Sequence, residues 1–150
     1  MNAPPKDDRI LPVTRIVAAI GAREPRLLDA VFECCGEQEA LDQGIALLKP
    51  GGKLGIVQHM ADPEQDWLSR NIGYVTRDYI VSKAVQAGFV LEAEGFFNRN
   101  PLDTKRHAGG VWQLPPNLRR LETEEEKAAY RAVGESSRMT LVFVKPDSQP

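Results

Sequence analysis

The sequence predicts an α/β fold: a half-sheet of four to five strands with flanking helices. Three observations carry this. Short apolar runs alternate along the chain with segments of helical periodicity. Residues 27–58 read as strand, helix, turn and strand, the form of a βαβ crossover between parallel strands. The chain has 150 residues, 42% of them hydrophobic and 27% charged, which suits one soluble domain over 1–150.

The elements follow in order. Residues 1–9 are polar and proline-bearing and read as a flexible tail, as do 146–150. Residues 10–20, ILPVTRIVAAI, fit a short strand or a turn of helix equally well. Residues 27–35, LLDAVFECC, read as a buried strand. A helix over 37–48 places Leu41, Ile45 and Leu48 on one face and stops at Lys49-Pro50-Gly51-Gly52, where Lys49 suits the helix dipole. Residues 53–58 form the next strand. Thr76 is placed to cap a helix over 77–87, with Ile80, Ala84 and Ala87 on its inner face and Gly88 at its end. Residues 89–97 make a strand with a bulge expected at Gly95. A long loop, 98–121, follows, and loops of this length are usually functional or disordered. Thr123 with Glu126 is a capping-box signature for a helix over 124–133, its inner face being Ala128, Ala129, Ala132 and Val133. Residues 139–144, MTLVFV, are the last strand.

Charge and motif content narrow the function. A net charge of -2 gives no basic excess for nucleic acid or anionic lipid. Lys105-Arg106-His107 and Arg119-Arg120 read as short solvated clusters. No apolar run approaches the roughly 20 residues of a membrane span, and residues 1–9 lack the apolar stretch of a signal peptide, so the expected compartment is the cytoplasm. Cys34 and Cys35 are adjacent, which disfavours a normal disulfide, and they read as reduced core or site-lining thiols. The two histidines, His59 and His107, lack metal-ligand spacing, so no metal is expected. Gly51-Gly52-Lys53 lacks the earlier glycine and the Ser/Thr of a P-loop, and no G-x-S-x-G elbow is present.

LLKPGGKLGIVQH (47–59) looks like the post-helix strand of class I S-adenosylmethionine-dependent methyltransferases. The blocks GYVTRDYIVSKAVQAGFVLEAEGFFNRNPLDT, GGVWQLPPNLR and AVGESSRMTLVFVKP, in that order, resemble the C-terminal half of one family of bacterial predicted methyltransferases. The resemblance runs from about Asp29 to Pro146. It implies a Rossmann-like sheet in which 29–35 and 53–58 are parallel neighbours. It also implies that 139–144 is antiparallel, between 53–58 and 89–97. A second, local resemblance, VFECCGEQEALDQGIALLKPGGKL (31–54), is to the cofactor domain of zinc-type alcohol dehydrogenases, without their glycine fingerprint or zinc ligands.

One departure bears on the cofactor. Methyltransferases of this class carry a glycine-rich loop and an acidic strand end before this region, which bring backbone N–H groups and a carboxylate to the cofactor. Only 28 residues precede Asp29, and they contain no G-x-G. The chain therefore reads as a truncated methyltransferase-like domain without its N-terminal cofactor-binding half, binding S-adenosylmethionine weakly or not at all by itself. Three functions stay open: a methyltransferase of unknown acceptor, a non-catalytic remnant serving as a binding or assembly module, and a nicotinamide-binding dehydrogenase fragment.

Ligands in open α/β sheets bind beyond the carboxyl ends of the parallel strands. Those ends supply Glu33, Cys34 and Cys35 as candidate cofactor contacts, and Gln58 and His59. His59 fits a general base, a substrate-orienting group, or a plain polar strand end. Arg99, Asn100 and Trp112 lie in the long loop that the resemblance places over the site mouth; with Gln58 they are candidate substrate contacts, the alternative being a structural loop with Trp112 as its hydrophobic anchor. Arg99 has the fork geometry for a carboxylate or phosphate. The partner expected is a small-molecule acceptor. The strand at 27–35 would be an apolar sheet edge, covered by residues 13–20, by a second copy in a homodimer, or by a partner chain.

Overall fold

The computed structural model describes residues 28–33, 45–65 and 72–147. Its elements are β1 (Leu28–Glu33), β2 (Leu48–His59), α1 (Arg77–Gln86), β3 (Val90–Gly95), α2 (Glu124–Val133) and β4 (Arg138–Val144), with a 3-10 turn at Gly110–Gln113. One mixed sheet has the order β1-β2-β4-β3. β1 and β2 are parallel, and β4 is antiparallel to both of its neighbours. This is the arrangement that the resemblance implied, strand for strand. On its other side β1 has no partner among the described residues. Cys34, Cys35 and the proposed covering segment 13–20 lie outside the described residues.

Four details differ from expectation. β2 starts at Leu48, so Lys49–Gly52 is an excursion inside the strand instead of a turn before it. Leu28 pairs with Leu48 and Ala30 with Lys53, so Asp29 stands opposite four residues. Gly51, at φ 74, makes the reversal possible. The helical turn at 45–47 ends under Lys145, whose Nζ donates to the carbonyls of Ile45 (3.3 Å) and Leu48 (2.9 Å). Lys49, expected there, pairs with Asp29 instead. Thr76 occupies the N-cap of α1, but its side chain makes no capping bond. The sheet irregularity in β3 falls between Leu91 and Ala93; Gly95 is in register with Thr140.

The core lies on one face of the sheet. Leu54 and Ile56 of β2 and Met139, Leu141 and Phe143 of β4 point the same way, two residues apart, and are buried. Ile80, Val81 and Ala84 of α1 cover them, with Phe89 closing the end. Burial of each large side chain here contributes about 1.5–3 kcal/mol. Gly88 ends α1 at φ 88, as expected. Ala87, placed on the inner face by periodicity, is exposed because the helix has already turned away.

The capping box of α2 is complete: Glu126 N–H donates to Thr123 Oγ1, and the Glu126 carboxylate accepts from the Thr123 N–H. Its inner face is not the alanine stripe. Ala128, Ala129 and Ala132 are exposed, while Lys127, Tyr130 and Val133 are half-buried. Tyr130 sets this rotation by packing its ring on His107, with centroids 5.3 Å apart. Among the described residues, no helix is long and apolar enough to cross a membrane.

Candidate functional site

The sheet brings the carboxyl ends of β1 and β2 to one side. Glu33 closes β1 opposite Ile56, and Gln58 and His59 close β2 opposite Met139 and Arg138. The chain continues through a bridge between Met60 and Val75, with the Val75 N–H donating to the His59 carbonyl at 2.9 Å. His59 is half-buried there. Its Nδ1 lies 2.5 Å from Ser136 Oγ, and its ring meets the edge of Tyr74 at 6.4 Å. Burial, and next the positive charge of Arg138, lower its pKa below 6.5, while Asp103 and Glu135 oppose this weakly. The imidazole is thus neutral near pH 7, the form in which a histidine accepts a proton. Gln58 turns back on the backbone, accepting from the His59 N–H at 2.7 Å.

Beyond Met60 opens a cleft of about 380 Å³ lined by Asp62, Thr76, Arg77, Asp78, Arg99 and Lys105 among others. Glu94 organises its cations. One carboxylate oxygen accepts from Arg77 Nε at 2.8 Å and the other from Arg99 Nη2 at 2.9 Å. Lys105 Nζ donates to Asp62 at 2.5 Å. Arg99 Nε is buried and has no hydrogen-bond partner among the described residues.

Asp103 ties the long loop to the sheet. Its side chain is fully buried. Oδ1 accepts from the Lys105 N–H at 2.8 Å and Oδ2 from the Ser137 N–H at 2.7 Å. Tyr74 Oη donates to both oxygens, at 2.9 and 3.1 Å, and His107 Nε2 lies 2.9 Å from Oδ1. Burial first, then the Asp103 charge, push the Tyr74 phenol well above its usual pKa of 10.0. These bonds fix the loop between β3 and α2, and with it Lys105 at the cleft.

The sequence candidates separate accordingly. Arg99 lines the cleft. His59 stands next to its lining residue Met60 without being part of the lining. Asn100 has its polar atoms engaged: Nδ2 donates to the carbonyls of Val133 and Glu135, and Oδ1 accepts from the Leu102 N–H. Trp112 packs with Ile72, Tyr74 and Val111 in a second apolar cluster. Glu33 keeps its strand-end position. The expected solvated cluster Lys105-Arg106-His107 is corrected: only Arg106 is exposed, because Asp62 and Asp103 hold its two neighbours. Arg77, Glu94, Tyr74, Asp103 and Ser136 were not picked out from the sequence. The one signal for them was the i,i+4 spacing of Asp103 and His107.

No family model matches the chain, and no curated protein sequence matches it. Solved structures do. One is M1.HpyAVI in complex with SAM, at 15% identity and TM-score 0.43, covering 91% of this chain and 53% of that one. Another, from Galdieria sulphuraria, is described as a sarcosine dimethylglycine methyltransferase. It has 17% identity and TM-score 0.48, covering 83% and 55%. A third belongs to the complex between the Haloferax volcanii Trm112 methyltransferase activator and a methyltransferase. It has 16% identity and TM-score 0.43, covering 84% and 57%. The chain spans little more than half the length of each. The likeness is one of fold.

Proposed function

We propose that the described residues form the acceptor side of an S-adenosylmethionine-dependent methyltransferase domain, with a small molecule as acceptor. The observation that supports this reading most is the sheet itself: β4 runs antiparallel between two strands that are parallel to each other, in the order the sequence resemblance implied. That order sets Glu33, Gln58 and His59 at the carboxyl ends of adjacent parallel strands, the side on which open α/β sheets bind ligands.

Glu33 suits the cofactor side, since a strand-end carboxylate accepts hydrogen bonds from amino or hydroxyl groups of an adenosine. Cys34 and Cys35 follow it in the chain. When bound, S-adenosylmethionine supplies an electrophilic methyl group on sulfonium. The remaining work is alignment and removal of an acceptor proton. His59 is the base in this reading. With its proton on Nδ1, donated to Ser136 Oγ, the Nε2 lone pair is basic and the ring is held in one orientation. Arg99 orients the acceptor, and Gln58, Asn100 and Trp112 shape the walls that hold these groups. Residues 13–20, a second copy or a partner chain pairs along the side of β1 that has no partner among the described residues.

Amide NMR tests the assignment. S-adenosylhomocysteine at millimolar concentration should move the signals of Glu33 and of Gln58 to Ala61 saturably, and NAD should not. Shifts with NAD alone would replace the reading with a nicotinamide site. No shift with either would favour an assembly module.

A further inference from the structure

We propose that the cleft beyond β2 binds an oxyanion, a carboxylate or a phosphate, through Arg99 and the uncapped first turn of α1. Four observations converge on it. Arg77, Arg99 and Lys105 line one cleft of about 380 Å³, which is large enough for a small organic acid. The N-terminus of α1 opens on the same cleft through Thr76, Arg77 and Asp78, and no side chain caps it. Helix N-termini carry free N–H groups and partial positive charge. Glu94 occupies one nitrogen of each arginine; Asp78 engages a second on Arg77 at 3.4 Å, so Arg99 is the arginine with N–H groups to spare. Finally, Arg99 Nε is buried without a partner, a costly state that a small turn of the guanidinium toward an incoming oxygen would relieve.

The shape of the arrangement also explains Glu94. Its carboxylate holds two guanidinium groups side by side, and in doing so competes with any arriving anion. Lys105 is held by Asp62, and Arg77 also meets Asp78, which leaves Arg99 as the cation available to an anion. An oxyanion presenting two oxygens would take the Nε–Nη2 edge of Arg99, displacing Glu94 from Nη2, in the fork geometry that lysine cannot supply. That this anion belongs to the methyl acceptor rests on the reading above. The oxyanion site does not, because it is read without the cofactor.

The test uses the Arg99 Nε–H signal and the Asp78 backbone amide in NMR of the full chain, without S-adenosylmethionine. Inorganic phosphate and propionate are titrated separately at constant ionic strength, with chloride as control. Saturable shifts of both signals with either oxyanion, and not with chloride, are expected; which of the two works assigns phosphate or carboxylate. Arg99→Lys should weaken binding about tenfold, read at Asp78, since a bidentate contact becomes a single one. Glu94→Gln should tighten it several-fold by removing the competing charge, which a merely structural role for these residues would not do. Unmoved signals, shifts equal to those of chloride, or a Glu94→Gln variant that binds more weakly would overturn the proposal.

Discussion

Replacing Asp103 with alanine should lower stability by about 4 kcal/mol. The carboxylate is fully buried and accepts from Tyr74 Oη and from two backbone N–H groups, those of Lys105 and Ser137. Each donor stranded in the interior costs about 1–3 kcal/mol, less for the partly exposed Lys105 N–H. The sum is in line with the roughly 3–5 kcal/mol seen when one partner of a buried charge pair is removed. In a chain of this size each kcal/mol moves the melting temperature by about 2–4 °C, so a fall of about 8–16 °C is expected. Asp103→Asn keeps one acceptor but turns an amide N–H toward another donor, so it should fall about halfway. Leu102→Ala, next door and 61% exposed, should stay within about 0.5 kcal/mol. Urea denaturation followed by circular dichroism gives all three. If Asp103→Ala stays within 1 kcal/mol of wild type, the loop is not held by this carboxylate.

Gly110 and Gly51 both have positive φ but differ in surroundings. A Cβ on Gly110 would sit 2.2 Å from the Ile72 carbonyl oxygen, whereas one on Gly51 meets nothing within 4 Å. Gly51→Ala should cost about 1–2 kcal/mol of backbone strain alone, and Gly110→Ala clearly more, as read by melting temperature. Thr123→Ala removes half of the α2 capping box and should cost about 1 kcal/mol in the same assay. His59 makes stability depend on pH. Its folded pKa is below 6.5, so the unfolded chain takes up a proton first on acidification. Stability is therefore complete above pH 6.5 and declines as pH falls through the folded pKa. His59→Gln should flatten this limb between pH 7.5 and 5.5, and an unchanged slope would assign it elsewhere. In an active assembly, His59→Ala should lower turnover by about 10²-fold or more, measured by methyl transfer.

The fold was largely legible because its elements carry local signals. A short apolar run marked β4, Gly88 the end of α1, and Thr123 with Glu126 the start of α2. Where reading failed, tertiary contacts had overridden a local rule. The rotation of α2 follows Tyr130 packing on His107, not its alanine spacing. The terminal charge at 45–47 comes from Lys145, a hundred residues from Ile45, not from the neighbouring Lys49. His59 and Arg99 were legible as site candidates because strand ends and long loops are where ligands meet an open sheet. Arg77 and Glu94 were not, since they belong to different elements and meet as an ion pair only when α1 and β3 pack together. Asn100 looked like a substrate contact and instead joins the loop to the residues before β4, a use that only the folded distance reveals.

The melting temperature of the chain with S-adenosylhomocysteine, and separately with NAD, tests the central claim most directly. A ligand at ten times its dissociation constant adds about 1.4 kcal/mol, or roughly 3–5 °C. The account predicts at most such a rise, reached only at millimolar S-adenosylhomocysteine, and none with NAD. A rise with NAD alone, or a full rise already at micromolar S-adenosylhomocysteine, would contradict it.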